Sequence, residues 1–203
     1  MKLYFSPGAC SLASHIVLRE LGLPFEIEKV NNKTKTTASG ADFWKINPKG
    51  YVPVLQLDDG SVLTEGPAIM QYLADKKPEA GLAPANGTMA RYRLQEWLGF
   101  INSEIHKSYS PLFNPDTPEQ TRISSIEKIG KRLDFVENSL AGKEYLTGNA
   151  FTIADAYLYV VVNWSGFVGI NLDKWPNVKA LHARIAARPA VQAAHAAEKA
   201  ASG

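Results

Sequence analysis

The sequence predicts an α/β domain followed by an all-α domain, and three observations carry that prediction. Up to residue 77, short strand patterns alternate with helical ones in the order βαβ and then ββα. Residues 78–88 shift to Pro, Gly, Ala and Asn, with Pro78, Gly81, Pro84 and Gly87 as breakers, the composition of a linker. Residues 89–203 then repeat their apolar side chains at the helical period, with no further strand signal.

The first domain opens with Lys2-Leu3-Tyr4-Phe5, a short strand, and the Ser6-Pro7-Gly8-Ala9 turn. A helix follows from Cys10, its apolar face running through Leu12, Ile16, Val17 and Leu21. Tyr4 and Phe5 should face opposite sides of their strand. Phe25 to Val30 reads as the second strand, residues 31–40 as a polar loop, and Asp42 to Asn47 as one helical turn ended by Pro48. Tyr51 to Leu57 and Ser61 to Thr64 form a hairpin across Asp58-Asp59-Gly60, and Gly66-Pro67 opens the next helix. In the second domain, residues 89–109 and 119–140 are amphipathic helices. The stretch 152–168 is the most hydrophobic one, and shorter helices start at Pro176 and Pro189. The Ala-rich tail reads as a fraying helix end.

Composition narrows the function. The chain has 203 residues, 45% of them hydrophobic, and a formal net charge of +2. That gives no electrostatic case for nucleic acid or an anionic membrane. No apolar run reaches the length of a membrane span, and no export signal is visible at the N-terminus. The single cysteine excludes an internal disulfide and agrees with a reducing cytoplasm.

That cysteine is the first candidate for chemistry. Cys10 lies where turn becomes helix, and the unpaired N–H groups and positive dipole end found there favour a thiolate. Ala13 stands where a Cys-x-x-Cys motif would place a resolving thiol, so Cys10 needs an outside partner, most simply another thiol. Strand, turn, cysteine and helix in this order form the opening of a thioredoxin-like domain. Gly99, Asn102, Ser103 and His106 share one stripe of the 89–109 helix, and a histidine there can act as base or hydrogen-bond donor. His15, His182 and His195 have no partners at metal-ligand spacing, so no metal site is expected. Thr152-Ile153-Ala154-Asp155 is a helix capping box rather than a catalytic motif.

The run Pro7-Gly8-Ala9-Cys10-Ser11-Leu12-Ala13-Ser14-His15, with Asn47-Pro48-Lys49-Gly50 and Leu63-Thr64-Glu65-Gly66, resembles the bacterial beta class of the cytosolic glutathione S-transferases. The resemblance covers essentially the whole chain. It implies a homodimeric, cytoplasmic enzyme that uses glutathione as co-substrate, conjugates it to small hydrophobic electrophiles and needs no metal. It further implies that Cys10 and His106 lie near the glutathione sulfur, and that Cys10 can form a mixed disulfide with it. Ser11 reads equally as a donor to that sulfur or as a first-turn helix hydroxyl. Val52, preceding a cis Pro53, would pair with the cysteinyl backbone, and Glu65 and Gly66 would take the γ-glutamyl end. Lys35 would reach the glycyl carboxylate, and Asn102 or Ser103 would compensate for glycine at position 99. Tyr109, Phe113 and Trp164 would line the second-substrate pocket. Two alternatives stay open: a glutathione-dependent thiol–disulfide oxidoreductase with Cys10 as nucleophile, and a non-catalytic binder of apolar ligands.

Overall fold

The computed structural model describes residues 1–201, which fall into two compact units. The first comprises Met1–Ala80 together with the described residues from Ala187 onward, and the second is Gly81–Ala186.

In the first unit, β1 (Lys2–Phe5), α1 (Ser11–Leu21), β2 (Glu26–Asn31), β3 (Thr36–Thr37), α2 (Phe43–Ile46), β4 (Val54–Gln56), β5 (Val62–Thr64) and α3 (Gly66–Lys76) follow in order. The five strands form one sheet, β3-β2-β1-β4-β5. β1 and β2 are parallel, joined by the α1 crossover, and the other neighbours are antiparallel. The expected βαβ and ββα halves therefore meet along β1. Alternation along β1 places its side chains on both faces as anticipated. Tyr4 packs with Val30, Phe43 and Val54, whereas the Phe5 ring lies 6.3 Å from that of His15 on α1. The strand β3 escaped the sequence reading because two threonines in a polar loop carry no periodicity.

The second unit holds α4 (Met89–Phe100), a π-helical segment (Ile101–His106), α5 (Lys107–Tyr109), α6 (Glu119–Ser139), α7 (Ile153–Asn163) and α8 (Pro176–Ala186). Its core centres on α7, buried from Ile153 to Val162 on every face, as its unbroken apolar sequence predicts. Thr152 and Asp155 form the expected capping box. On α6, Ile123 and Ile126 keep the helical period of the apolar residues but are 41% and 42% exposed, and the buried stripe runs through Ser125, Ile129, Leu133 and Val136.

The last helix, α9 (Pro189–Ala200), corrects one expectation: it packs with the first unit rather than with residues 89–186, while the fraying expected at the end of the tail lies at residues 202–203, outside the described residues. Val191, Ala194 and Glu198 are buried, and Arg188 grips Glu20 of α1 through two hydrogen bonds of 2.6 and 2.9 Å. Arg19 Nε donates to His15 Nε2, so the His15 Nδ1–H donates to Glu198 Oε1 at 3.1 Å. The other Glu198 oxygen accepts the Gly8 N–H at 3.1 Å. A helix of alanines advertises none of this, because its packing depends on closeness and one buried carboxylate rather than on large apolar side chains.

Candidate functional site

Two groups of candidate residues emerge, one in each unit. In the first unit the segment 47–53 is the hub. Cys10 is partly exposed at the N-cap of α1 in helical conformation, and its thiol donates to the Val52 carbonyl at 3.4 Å. The Val52–Pro53 peptide is cis. Gly66 opens α3 beside Pro53, whose Cγ lies 3.8 Å from where a Cβ would project. Glu65 precedes it, and its carboxylate meets the Lys49 ammonium at 2.8 Å on the surface. Lys35 donates to the Gly50 carbonyl at 2.8 Å, with its ammonium about 6 Å over the rings of Trp44 and Tyr51. Such cation–ring contacts add modestly to an ion held near water.

Backbone strain singles out the same group. Among the described residues the non-glycine positions with positive φ are Lys35, at 55°, and Glu65, at 71°. Left-handed backbone costs a residue with a Cβ on the order of 1–2 kcal/mol. Strain held against that cost concentrates where a side chain must be aimed, and both residues are glutathione candidates from the resemblance. Gly50, at φ 68°, has a different reason to be glycine: a Cβ would sit 2.5 Å from Trp44 Cζ3.

Ser11 corrects the sequence reading. Its wholly buried hydroxyl donates to the Ser6 carbonyl and accepts the Ser6 N–H, both at 3.2 Å. Of its two readings the structural one holds: it closes the turn between β1 and α1, and no donor is left for a sulfur.

In the second unit, the candidates gather on the π-helical segment, the residues that follow it to Phe113, and Trp164 just past the end of α7. A side-chain bond from Ser103 to the Gly99 carbonyl, 2.9 Å, leads into this wider turn, and π segments recur at functional sites. His106 Nδ1 lies 2.7 Å from the Tyr157 hydroxyl, which donates to Asn102 Oδ1 at 2.9 Å. Burial, helped by neighbouring Lys107, pushes the imidazole down to about 4. The ring is therefore neutral at physiological pH. Trp164 stands edge-on to His106 at 4.8 Å and contacts Tyr109 and Phe113 at 5.8 and 5.5 Å. The three aromatic residues expected to line an apolar pocket are thus brought together with the histidine.

Two members of this group differ from expectation. Tyr109 has no exposed surface, and its hydroxyl meets Ser165 at 2.6 Å, so it backs Trp164 rather than lining an open wall. Burial raises that phenol to about 12. Ser103 is exposed and turned to Gly99, away from the His106–Tyr157 contact. Tyr157 itself was missed, since an aromatic residue within an apolar helix reads as core. Lys49 was visible only inside the Asn-Pro-Lys-Gly motif. Among the described residues there is no cluster of metal-ligating side chains, and no helix is long and apolar enough to cross a membrane.

A thioredoxin-like sheet with a cysteine at its first helix and a cis proline just before β4, together with a helical second unit, defines the glutathione transferase class of fold. The N-terminal and C-terminal domain models of glutathione S-transferase match residues 8–76 and 100–189. Glutathione S-transferase GstA of Escherichia coli O157:H7 is 46% identical over 98% of both chains. A sphingomonad glutathione S-transferase complexed with glutathione is 48% identical, with a TM-score of 0.95 over 98% of this chain and 99% of that one. A bacterial beta class glutathione S-transferase from Sphingomonas chungbukensis is 46% identical, with a TM-score of 0.95 over 98% of both chains. The chain belongs to the glutathione S-transferase family of enzymes, and its relatives include the bacterial beta class.

Proposed function

We propose that this protein joins the thiol of glutathione to small apolar electrophiles, with Cys10 serving the tripeptide's sulfur. The observation that carries the reading is the meeting of Cys10, at the start of α1, with the Val52 carbonyl beside a cis proline. Val52 and Pro53 lie just before β4, outside its ladder with β5, and extended backbone of this kind can take up a peptide by strand addition. The Glu65–Gly66 start of α3 supports placing the γ-glutamyl carboxylate there, because a helix N-terminus attracts anions. Lys35 is assigned the glycyl carboxylate. A relative of 48% identity has been solved with glutathione bound, which supports the choice of peptide.

His106 and Asn102 are assigned to the same substrate, with Trp164 and Phe113 on the apolar one. The enzyme gains rate by holding thiol and electrophile in reacting geometry and by presenting the thiol as thiolate. A homodimer is expected, measurable by light scattering on the eluting protein.

A second reading, thiol–disulfide exchange through Cys10, is favoured by a partly exposed cysteine where conjugation alone needs none. Intact mass after incubation with oxidised glutathione tests the thiol: Cys10 should gain one glutathione that reductant removes, and no addition would count against a reactive Cys10 and so against the exchange reading. Conjugation of a chlorinated aromatic should survive Cys10→Ala, whereas exchange should vanish.

A further inference from the structure

One buried hydroxyl decides which nitrogen of His106 carries hydrogen. A phenol has a single proton to donate. The Tyr157 proton goes to Asn102 Oδ1 at 2.9 Å, and the same oxygen lies 2.7 Å from His106 Nδ1. Toward the imidazole it can therefore only accept, which requires a proton on Nδ1. Tyr157 is 2% exposed and α7 is buried around it, so the ring has little room to turn away. Asn102 and His106 are four residues apart on the π-helical segment, which brings both to one hydroxyl.

We propose that Tyr157, backed by Asn102, is a positioning residue that locks His106 in its Nδ1–H tautomer and so leaves Nε2 as an acceptor for the substrate thiol's proton. The proposal rests on the reading that His106 serves the glutathione thiol, and it selects between the two roles that reading left open: acceptor, not donor. In the conjugation step the S–H bond breaks and its electron pair stays on sulfur to form the new S–C bond. The proton passes to Nε2, and the imidazolium, still bonded through Nδ1–H to Tyr157, returns it to water as the leaving group departs. Burial and Lys107 hold the imidazole at about 4, so the ring is neutral and its Nε2 lone pair is open before the reaction. The charge acting on it is Lys107, the next residue along the chain, and Glu104 stands two residues before it. From α6, Arg132 and Lys128 hold that carboxylate.

The test is nitrogen NMR of the full-length protein labelled in its histidines, with the His106 signals identified by their loss in His106→Asn. At neutral pH the parent should show protonated Nδ1 and unprotonated Nε2. Tyr157→Phe removes the acceptor, and Asn102→Ala frees the phenol proton to turn toward the ring. Each should move His106 toward the Nε2–H tautomer. Conjugation by Tyr157→Phe should fall about tenfold in kcat with the glutathione KM little changed. In the His106→Asn background the same substitution should cost almost nothing more, a non-additivity that a merely structural tyrosine would not produce. A parent His106 already protonated on Nε2, as a reversed Asn102–Tyr157–His106 chain would give, overturns the proposal. So does a Tyr157→Phe protein that keeps the Nδ1–H tautomer. The tautomer is read without turnover, so absence of transferase activity would sink the functional reading and leave this assignment standing.

Discussion

Removing the Asp155 carboxylate should cost far more than an ordinary helix cap. Cap loss alone is worth about 1–2 kcal/mol. In the structure, however, Asp155 has no exposed surface and serves three donors. One oxygen accepts the Thr152 N–H at 2.8 Å and the Thr152 hydroxyl at 2.7 Å, and the other accepts the Leu146 N–H at 2.9 Å. The last bond ties the preceding turn to α7, the centre of the second unit. Asp155→Ala would leave two buried backbone N–H groups unpaired, each worth about 1–3 kcal/mol. Some of this is offset, because burial pushes the carboxyl up and the charged form already bears a desolvation cost. The balance is about 3–4 kcal/mol. For a protein of this size each kcal/mol moves the thermal midpoint by roughly 2–4 °C. The α-helical circular dichroism signal of the alanine variant should therefore melt about 6–16 °C below the parent. Asp155→Asn retains one acceptor oxygen and should lie between the two. An alanine variant within about 1 kcal/mol of the parent would refute the claim that these bonds hold the unit together.

Three further outcomes follow from the first unit. Burial alone would raise the Glu28 carboxyl, but hydrogen bonds from Ser39, Thr37 and Lys2 outweigh it and hold the group at about 2, from an ordinary 4.5. Stability from this depressed value is complete above the unfolded pKa and is lost as pH falls through the folded one. Urea midpoints should therefore drop between pH 4.5 and pH 2 in the parent, and by less in Glu28→Gln. Gly8 and Gly50 share a φ of 68°, but a Cβ at Gly8 meets nothing within 4 Å, whereas at Gly50 it meets Trp44 at 2.5 Å. Gly8→Ala should cost about 1 kcal/mol of backbone strain, and Gly50→Ala about 1–3 kcal/mol more from overpacking. Calorimetric titration should show a greater loss of glutathione affinity in Gly50→Ala, since the Lys35 ammonium is held by the Gly50 carbonyl. Gly66→Ser meets only Pro53, at 3.8 Å. It should leave the melting temperature unchanged and tighten glutathione binding by adding a hydroxyl to the helix start.

Much of this was legible in the chain because local physics and tertiary structure agree. The Asp-Gly hairpin, Pro67 in the first turn of its helix and the Thr152–Asp155 box are signals within a few residues, and each appears as read. The helical half was legible by period, except where Ile123 and Ile126 kept the pattern without the burial. What stayed hidden depends on distant partners. Glu198 lies 190 residues from the Gly8 N–H that it accepts, and the alanines around it have no large side chain to announce a buried face. The candidate site divides in the same way: Cys10, Val52–Pro53 and Glu65–Gly66 stand in short motifs, whereas the hydroxyl of Ser11 could be assigned only once Ser6 was seen to occupy it.

The stripe of Gly99, Asn102, Ser103 and His106 shows why spacing alone misled. The stripe assumes a uniform helix, where residues three and four apart are neighbours on one face. The chain instead widens to a π turn from Ile101 to His106, which separates the stripe into two destinations. Ser103 bonds back to Gly99, and Asn102 and His106 converge on Tyr157. Glycine at position 99 and a serine that bonds its carbonyl are the sequence features closest to a signal, since both weaken regular helix. The third member, Tyr157, lies 51 residues beyond His106. Its apolar neighbours Ala156 and Leu158 disguise it as core, and its ring is core. Only its oxygen bears on the site, by meeting His106 Nδ1, and the same buried helix whose cap is Asp155 holds it in place. Destabilising that cap should therefore loosen the tautomer of His106 before it unfolds the unit. In Asp155→Asn, a mixed Nδ1–H and Nε2–H population below the melting transition is the expected result, and an unmixed one would show that Tyr157 is held independently of the cap.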